Sequence, residues 1–256
     1  MGKFEPILYK QTDPKFANHD YSAKGESTTI KAEGCGITCS AMVIATLSDK
    51  KVTPIDTAEW SKKNGYKALK QGTYYSYFKP QFAEYDIECN MMNTTNCYGK
   101  PNAEVHNRVK KSLDNGNWII AVAGKGDFTS SGHYILCYGL ENGNVLIKDP
   151  YNTKSICSKM PWDRFIKQQK YYWEVKVPDK YKEDLEVVEN INIEVNGLDY
   201  TVQAINKDGY TYIKTRDIAA ACGFEVTNKG KTPVLTKKKW GDKKWIIKCL
   251  SQKISL

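Results

Sequence analysis

The segment GCGITCSAM, residues 34–42, constrains this chain of 256 residues more than any other. It places a cysteine between two glycines and leads into 41–47, where apolar residues recur near the period of a helix. We therefore predict that Cys35 lies at or just before a helix N-terminus, where free N–H groups and the helix dipole stabilise a thiolate. The flanking Gly34 and Gly36 let another chain approach the sulfur, so they are predicted substrate contacts. A buried, inert cysteine is the alternative.

Composition is that of a globular protein, with 41% hydrophobic and 26% charged residues. No apolar run is long enough for a membrane span, and the N-terminus lacks a secretory signal. With no such signal, most of the eight cysteines are expected to be reduced thiols. Cys-x-x-Cys and His-x-x-x-His pairs are absent from the sequence, so we expect no zinc cage and no cofactor.

The order of predicted elements favours an α+β fold, with a helical half packed on an antiparallel sheet. The helical half carries the cysteine and the sheet carries a histidine. Helices are predicted at 37–48, 55–64, 74–84 and 102–115, the last with Asn102 as N-cap. Strands are predicted at 118–122, 133–138, 145–149 and 171–177, with a hairpin turn at Asn142-Gly143.

A charged, proline-containing stretch at 176–184 marks a domain edge. We predict a first domain at 1–178, a linker at 179–190 and a small C-terminal domain at 191–256. The C-terminal part contains a hairpin turning at Asn196-Gly197, another turning near Lys207-Asp208-Gly209, and a short helix over 215–222 closed by Gly223.

A catalytic cysteine needs a base, and the sequence contains only three histidines. His19 lies in a polar segment and His106 on a predicted helix face that we expect to be exposed. His133 follows a Ser-Ser-Gly loop and begins an apolar strand, so it is the predicted base, although a histidine at the core edge is the alternative. Its neighbours Gly132 and Tyr134 are predicted substrate contacts.

Asp149 ends the return strand of the predicted hairpin and is positioned to steady the base. There its carboxylate can accept a hydrogen bond from Nδ1 of His133, although Asp-Pro is also a common turn start. A two-residue turn would pair Asp149 with Leu136, three places from His133. We therefore predict a longer loop or a bulge centred near Glu141, which brings the carboxylate opposite the imidazole.

Gln11 supplies a side-chain amide that can complete an oxyanion hole with the backbone N–H of Cys35. Gln11, Cys35, His133 and Asp149 follow the chain order of papain-like cysteine peptidases. Residues 5–177 resemble one branch of that fold, the bacteriocin leader (double-glycine) peptidase-like family, and especially its stand-alone cell-wall and phage members. The matching motifs are LYKQTDPKFANHDYS, EGCGITCSAMVIATL, SSGHYILCYGL and VLIKDPYN.

The resemblance implies a papain-like fold with four named roles. Cys35 would be the nucleophile, His133 the general base and then acid, Asp149 the orienting residue and Gln11 the oxyanion donor. Members more often have a proline and a small residue where this chain has Ile37 to Cys39. We expect Cys39 to be a buried small residue, with a resolving redox thiol as the alternative.

The C-terminal segment resembles the small domain of copper amine oxidase N-terminal regions, which is also appended to bacterial surface proteins and lysins; copper is not implied. Between Lys229 and Lys253 there are nine lysines and one acid, Asp242. Such a run is either a solvated tail or a surface for a polyanion, and it does not distinguish among polyanions. The predicted contacts to wall or polyanion are Lys237, Lys238, Lys239, Trp240, Lys243, Lys244 and Trp245.

These resemblances imply a peptidoglycan hydrolase of the phage endolysin type. It would be made in the host cytoplasm without a signal peptide and would act at the cell wall after release. It would cleave the N-acetylmuramoyl–L-alanine bond as an amidase, or a peptide bond as an endopeptidase. We expect peptidoglycan and anionic wall polymers as partners, with no nucleic acid and no membrane span. The alternatives are a protein-processing cysteine peptidase and a catalytically inactive wall-binding module.

Overall fold

The computed structural model describes residues 4–100, 102–182, 188–195, 197–207, 210–229, 232–237 and 247–249. The chain divides into two compact units, 1–184 and 185–256. That division falls inside the segment predicted as a linker. The first residues of the segment, Asp179–Tyr181, form a 3-10 turn in which the Tyr181 ring stacks on Phe4 at 4.4 Å between centroids.

The described part of the first unit is a mixture of helices and one antiparallel sheet, which confirms the predicted α+β class. Its helices are α1 (Ile30–Glu33), α2 (Cys35–Leu47), α3 (Pro54–Lys63), α4 (Phe78–Ala83), α5 (Ala103–Asp114) and α6 (Trp162–Ile166). Its strands are β1 (Cys89–Met91), β2 (Trp118–Ala123), β3 (His133–Glu141), β4 (Asn144–Lys148), β5 (Lys159–Pro161) and β6 (Gln169–Val175). A 3-10 turn at Ser155–Cys157 precedes β5.

The sheet has the strand order β1-β6-β2-β3-β4-β5 and is covered on both faces. Strand β2 (sequence WIIAVA) is buried throughout, because alternate residues enter two separate cores. Its residues Trp118, Ile120 and Val122 pack with the core of α2, α3 and α4. Ile119, Ala121 and Ala123 pack with the core of α5 and α6. Hydrophobic burial on both faces fixes the sheet between the two helical layers.

Capping chemistry sets the helix starts. Asn102 accepts a hydrogen bond from the Val105 N–H, which confirms it as the N-cap of α5. The helix predicted over 74–84 instead begins at Phe78. Pro80 explains the late start: in the first turn its missing N–H needs no intrahelical partner, whereas a helix from 74 would place it in the interior.

The second unit contains two antiparallel sheets and one helix in its described residues. Its elements are β7 (Val188–Val195), β8 (Leu198–Lys207), β9 (Tyr210–Ile213), α7 (Thr215–Ala221), β10 (Phe224–Lys229), β11 (Thr232–Lys237) and β12 (Ile247–Cys249). One sheet has the order β12-β7-β8-β9, and β10 pairs with β11. The two predicted hairpins and the helix are confirmed, and Gly223 follows that helix with φ +73. Strands β10 to β12 were not predicted.

Candidate active site

Cys35 is the first residue of α2, with Gly34 as N-cap, as predicted. Helix α2 is apolar on nearly every side and packs inside the first core, so its start is held in place. The Cys35 side chain is nevertheless partly exposed. Its sulfur accepts hydrogen bonds from the backbone N–H groups of Gly36 and Tyr134. The helix start and strand β3 thus each supply one donor that favours a thiolate.

The two glycines beside Cys35 have packing roles, and their contact with substrate stays a prediction. A Cβ on Gly34 would lie 2.5 Å from the Ile30 carbonyl oxygen, and one on Gly36 would lie 2.9 Å from Thr73 Oγ1. Neither has a positive φ, so close packing is what excludes a side chain at both positions. The contacts with Ile30 and Thr73 are tertiary, and the local sequence carried no signal for them.

His133 begins β3, and its ring joins the thiol to a carboxylate. Its Nε2 lies 2.8 Å from Oδ1 of Asp149, and the ring also forms a hydrogen bond with the Cys35 side chain. Because Nε2 faces Asp149, Nδ1 is left to face the sulfur. The predicted pairing of Nδ1 with Asp149 is therefore wrong in the choice of nitrogen, although the Cys35–His133–Asp149 chain itself is assembled.

A bulge places Asp149 on the correct face of the hairpin. The two-residue turn is kept, with Asn142 at φ +49 and Gly143 at φ +75. The register shifts between Cys137 and Gly139, not near Glu141 as predicted. The extra residue moves the position opposite Asp149 from 136 to 135. Residues 135 and 133 lie on the same face of the strand, because alternate residues share a face. A shift of one residue exchanges the faces of a strand, so this bulge brings the carboxylate to the imidazole.

The Asp149 carboxylate is held by four donors. Besides His133, its Oδ1 accepts from the backbone N–H groups of Tyr151 (2.7 Å) and Asn152 (2.9 Å). Its Oδ2 accepts from Asn152 Nδ2 at 2.8 Å. Beneath this turn, the Lys10 ammonium donates to the carbonyl oxygens of Asp149 and Asn152, both at 2.6 Å. Sequence reasoning missed Lys10 and Asn152, because neither has a spacing relative to Asp149 that marks it.

The three side chains shift one another's pKa values in the directions that favour an ion pair. Burial alone would lower the pKa of His133, but hydrogen bonds with Asp149 and Cys35 outweigh it and raise the pKa to about 9. Burial alone would raise the pKa of Cys35, but the hydrogen bond and charge of His133 lower it below the ordinary 9.0. The pKa of Asp149 is lowered, because hydrogen bonds from His133 and Asn152 outweigh its burial. A thiolate facing an imidazolium is the nucleophile that this arrangement can supply.

Gln11 does not present its amide to the sulfur in this structure. Nε2 donates to the carbonyl oxygens of Ile30 (3.3 Å) and Lys31 (2.8 Å), just ahead of the Cys35 helix. Its Oε1 is buried and has no hydrogen-bond partner among the residues that the structure describes. An oxyanion role requires one N–H to leave these carbonyls, so that role stays a prediction.

The other two histidines have structural environments. His19 lies near the surface with Nε2 2.7 Å from Glu59. His106 was predicted to be exposed and is 3% exposed instead, because it shares a helix face with Val109 and Leu113. Its ring packs edge-on to Tyr172 at 5.9 Å between centroids. The 106/109/113 spacing was a helical stripe that sequence reasoning overlooked.

A cleft of about 520 Å³ opens onto the Cys35–His133 pair. Gly132 and Tyr134 both line it, and their contact with substrate stays a prediction. The Tyr134 ring is buried and its hydroxyl donates to the Thr73 carbonyl oxygen at 3.3 Å. Cys39, one helical turn from Cys35, is fully buried, as expected of a small packing residue.

The predicted wall contacts fall largely outside the described residues. Lys237 ends strand β11, and nothing further is described of its side chain. The others that lie outside are Lys238, Lys239, Trp240, Lys243, Lys244 and Trp245. Among the described residues, no helix is long and apolar enough to cross a bilayer, and no three His, Cys, Asp or Glu side chains gather as ligands for a metal ion.

Three solved structures are similar to this chain. A double-glycine motif protease from an AMS/PCAT transporter, solved with its leader peptide, is 16% identical over 69% of this chain and 95% of that one, with a TM-score of 0.43. The peptidase domain of Streptococcus ComA, a bifunctional ABC transporter in quorum sensing, is 18% identical over 57% and 93%, with a TM-score of 0.38. A C39-like peptidase from Bacillus anthracis is 15% identical over 67% and 98%, with a TM-score of 0.41.

Comparison with curated proteins gave no match. A family model does match, over residues 8–177, which is well over half of the chain and contains Gln11, Cys35, His133 and Asp149. The fold of the first unit is accordingly papain-like. With the Cys35–His133–Asp149 chain assembled at its cleft, the protein belongs to the Peptidase_C39 like family of cysteine peptidases.

Proposed function

We propose that this protein hydrolyses an amide bond of bacterial peptidoglycan, as an N-acetylmuramoyl-L-alanine amidase or an endopeptidase of the endolysin type. The observation that carries the catalytic part is the partly exposed Cys35 thiol hydrogen-bonded to His133, which is held by Asp149. The motifs shared with stand-alone cell-wall members support the choice of substrate. So does the lysine- and tryptophan-bearing C-terminal segment, which suits anionic wall polymers.

The proposed reaction has two halves. The Cys35 thiolate attacks the amide carbonyl carbon, forming the S–C bond and a tetrahedral oxyanion. The backbone N–H at the start of α2 is positioned to stabilise that charge. His133 then gives its proton to the leaving amine as the C–N bond breaks. In the second half, water attacks the thioester while His133 takes its proton, and the S–C bond breaks to release the acid and the thiolate.

Mass spectrometry of purified peptidoglycan, digested by wild type and by Cys35→Ser, tests this proposal. We expect wild type to release fragments with new amino termini, which identify the scissile bond, and Cys35→Ser to release none. A wild-type enzyme that gives no fragments from walls would count against the substrate.

Membership of a peptidase family favours a second candidate, a protein-processing cysteine peptidase. Cleavage of casein in the absence of wall digestion would select it. A catalytically inactive module is the third possibility, and it predicts that iodoacetamide shows no preference for Cys35 over the six buried thiols.

We further propose that residues 191–256 form a wall-docking module similar to the copper amine oxidase N-terminal-like domain. The full-length variant Lys238→Gln/Lys239→Gln/Lys243→Gln/Lys244→Gln should then sediment less with walls and cleave soluble wall fragments at the wild-type rate. Unchanged sedimentation would exclude the basic segment as the docking surface.

A further inference from the structure

The catalytic cleft carries two ammonium groups that have no carboxylate partner in the described ranges of the chain. Lys70 and Lys170 both line the cleft together with Cys35 and His133. Neither forms an ion pair with any described carboxylate. A cleft with uncompensated charge of one sign concentrates ligands of the opposite sign.

The one carboxylate among the residues described as lining this cleft is paired with a buried lysine. Glu33 lies beside Cys35 in the cleft wall, and its Oε2 is 2.7 Å from the Lys67 ammonium. Lys67 itself is 2% exposed and also pairs with Glu26 at 2.6 Å. Lys67 carries one positive charge for two carboxylates, so this group keeps one negative charge. That charge offsets one of the two cleft lysines and leaves the other uncompensated.

Lys70 lies in a loop whose backbone accepts hydrogen bonds from the buried Lys67. The Lys67 ammonium donates to the carbonyl oxygens of Ala68 (2.7 Å) and Gln71 (2.5 Å), and the Lys70 N–H donates to Glu26. Lys70 has φ +54, a left-handed conformation in which glycine or asparagine is favoured. A lysine is uncommon in this conformation, so its presence beside the cleft supports a role for its side chain there.

Lys170 is held beside the loop that precedes His133. Its ammonium donates to the Ser131 carbonyl oxygen at 3.1 Å and lies 3.9 Å from the Cβ position of Gly132, the residue before His133. Its Cε packs 3.1 Å from the Cβ position of Gly124. One carbonyl leaves two of its three N–H donors free for a ligand.

From this arrangement we infer that the substrate carries a carboxylate within a few residues of the bond that Cys35 attacks, and that Lys70 and Lys170 bind it. The inference deepens the proposed function, since it names the chemistry of the chain that enters the cleft. It requires an acidic peptide segment and does not depend on that segment being part of a cell wall.

The first test compares two alkylating reagents of similar size, iodoacetate and iodoacetamide, at Cys35 of the full-length protein. We expect Lys70→Gln/Lys170→Gln to lower the ratio of iodoacetate to iodoacetamide rate roughly three- to tenfold at low salt, and 1 M salt to remove most of the difference. Lys15→Gln/Lys110→Gln is the matched control, because both lysines are exposed and lie outside the cleft. An unchanged ratio, or an equal fall in the control, overturns the inference.

The second test uses a peptide mixture prepared from a digested proteome, with cleavage sites read by mass spectrometry. Asp or Glu should be enriched near the sites cut by wild type, and the enrichment should fall in Lys70→Gln/Lys170→Gln. Cleavage with no acidic preference overturns the inference. If walls are not digested but the reagent ratio falls as expected, the peptidoglycan substrate is refuted and the carboxylate site stands. If walls are digested but the reagent ratio is unchanged, the carboxylate site is refuted and the peptidoglycan substrate stands.

Discussion

Replacing Asp149 by Asn isolates the contribution of its charge to the catalytic ion pair. The amide has the same shape, and its oxygen can still accept from the backbone N–H groups of Tyr151 and Asn152, which donate at 2.7 and 2.9 Å. What is lost is the negative charge that raises the pKa of His133. Burial, which lowers that pKa, is then opposed by Cys35 alone, so the pKa falls from about 9 toward the ordinary 6.5.

The size of the effect follows from that difference. Each pKa unit is worth about 1.4 kcal/mol, so a fall of two units or more costs the imidazolium roughly 3 kcal/mol. The ratio of ion pair to neutral pair then drops about 10²-fold, and turnover should fall by about 10²- to 10⁴-fold because general acid–base catalysis is lost as well.

Alkylation of Cys35 by iodoacetamide measures the thiolate without requiring a substrate. In wild type the rate should already be high below pH 9.0, because the pKa of Cys35 is lowered. In Asp149→Asn the rise should move to higher pH, since the imidazolium that stabilises the thiolate is less available. Asp163→Asn, an exposed aspartate on α6, is the control and should match wild type. Identical pH profiles for Asp149→Asn and wild type would falsify the ion-pair reasoning.

Three further predictions concern stability. Gly36→Ala should cost about 1–3 kcal/mol, because its Cβ would lie 2.9 Å from Thr73 Oγ1; a melting temperature within 1 °C of wild type would contradict the packing role. Lys10→Met should leave two carbonyl oxygens at the Asp149 turn without their donor, costing about 1–3 kcal/mol in urea unfolding, and Lys10→Arg should restore part of it. Burial lowers the pKa of His106 below 6.5, so the unfolded chain binds more protons and stability should fall as pH drops through that value. His106→Leu should flatten this dependence, and an equal pH slope in both proteins would refute it.

Local sequence was enough to predict where two of the catalytic residues lie. Cys35 at a helix start follows from helical periodicity and glycine placement, and His133 at a strand start follows from an apolar run after a Ser-Ser-Gly loop. These are properties of short segments, where propensity and pattern act before any long-range contact forms. Asp149 was predicted from its place at the end of the return strand and Gln11 from its amide chemistry, and the family resemblance implied the same roles. The structure brings Asp149 to the imidazole.

Tertiary contacts decided the rest. The bulge at 138 sets which face Asp149 occupies, and the ring orientation of His133 follows from where that carboxylate arrives. The packing role of Gly36 and the buried Lys67 network depend on residues 34 or more positions away in the chain. A sequence pattern specifies periodicity and local propensity. Register, close packing and the pairing of buried charges arise only when distant segments meet, so the cleft and its two lysines could be read only from the folded chain.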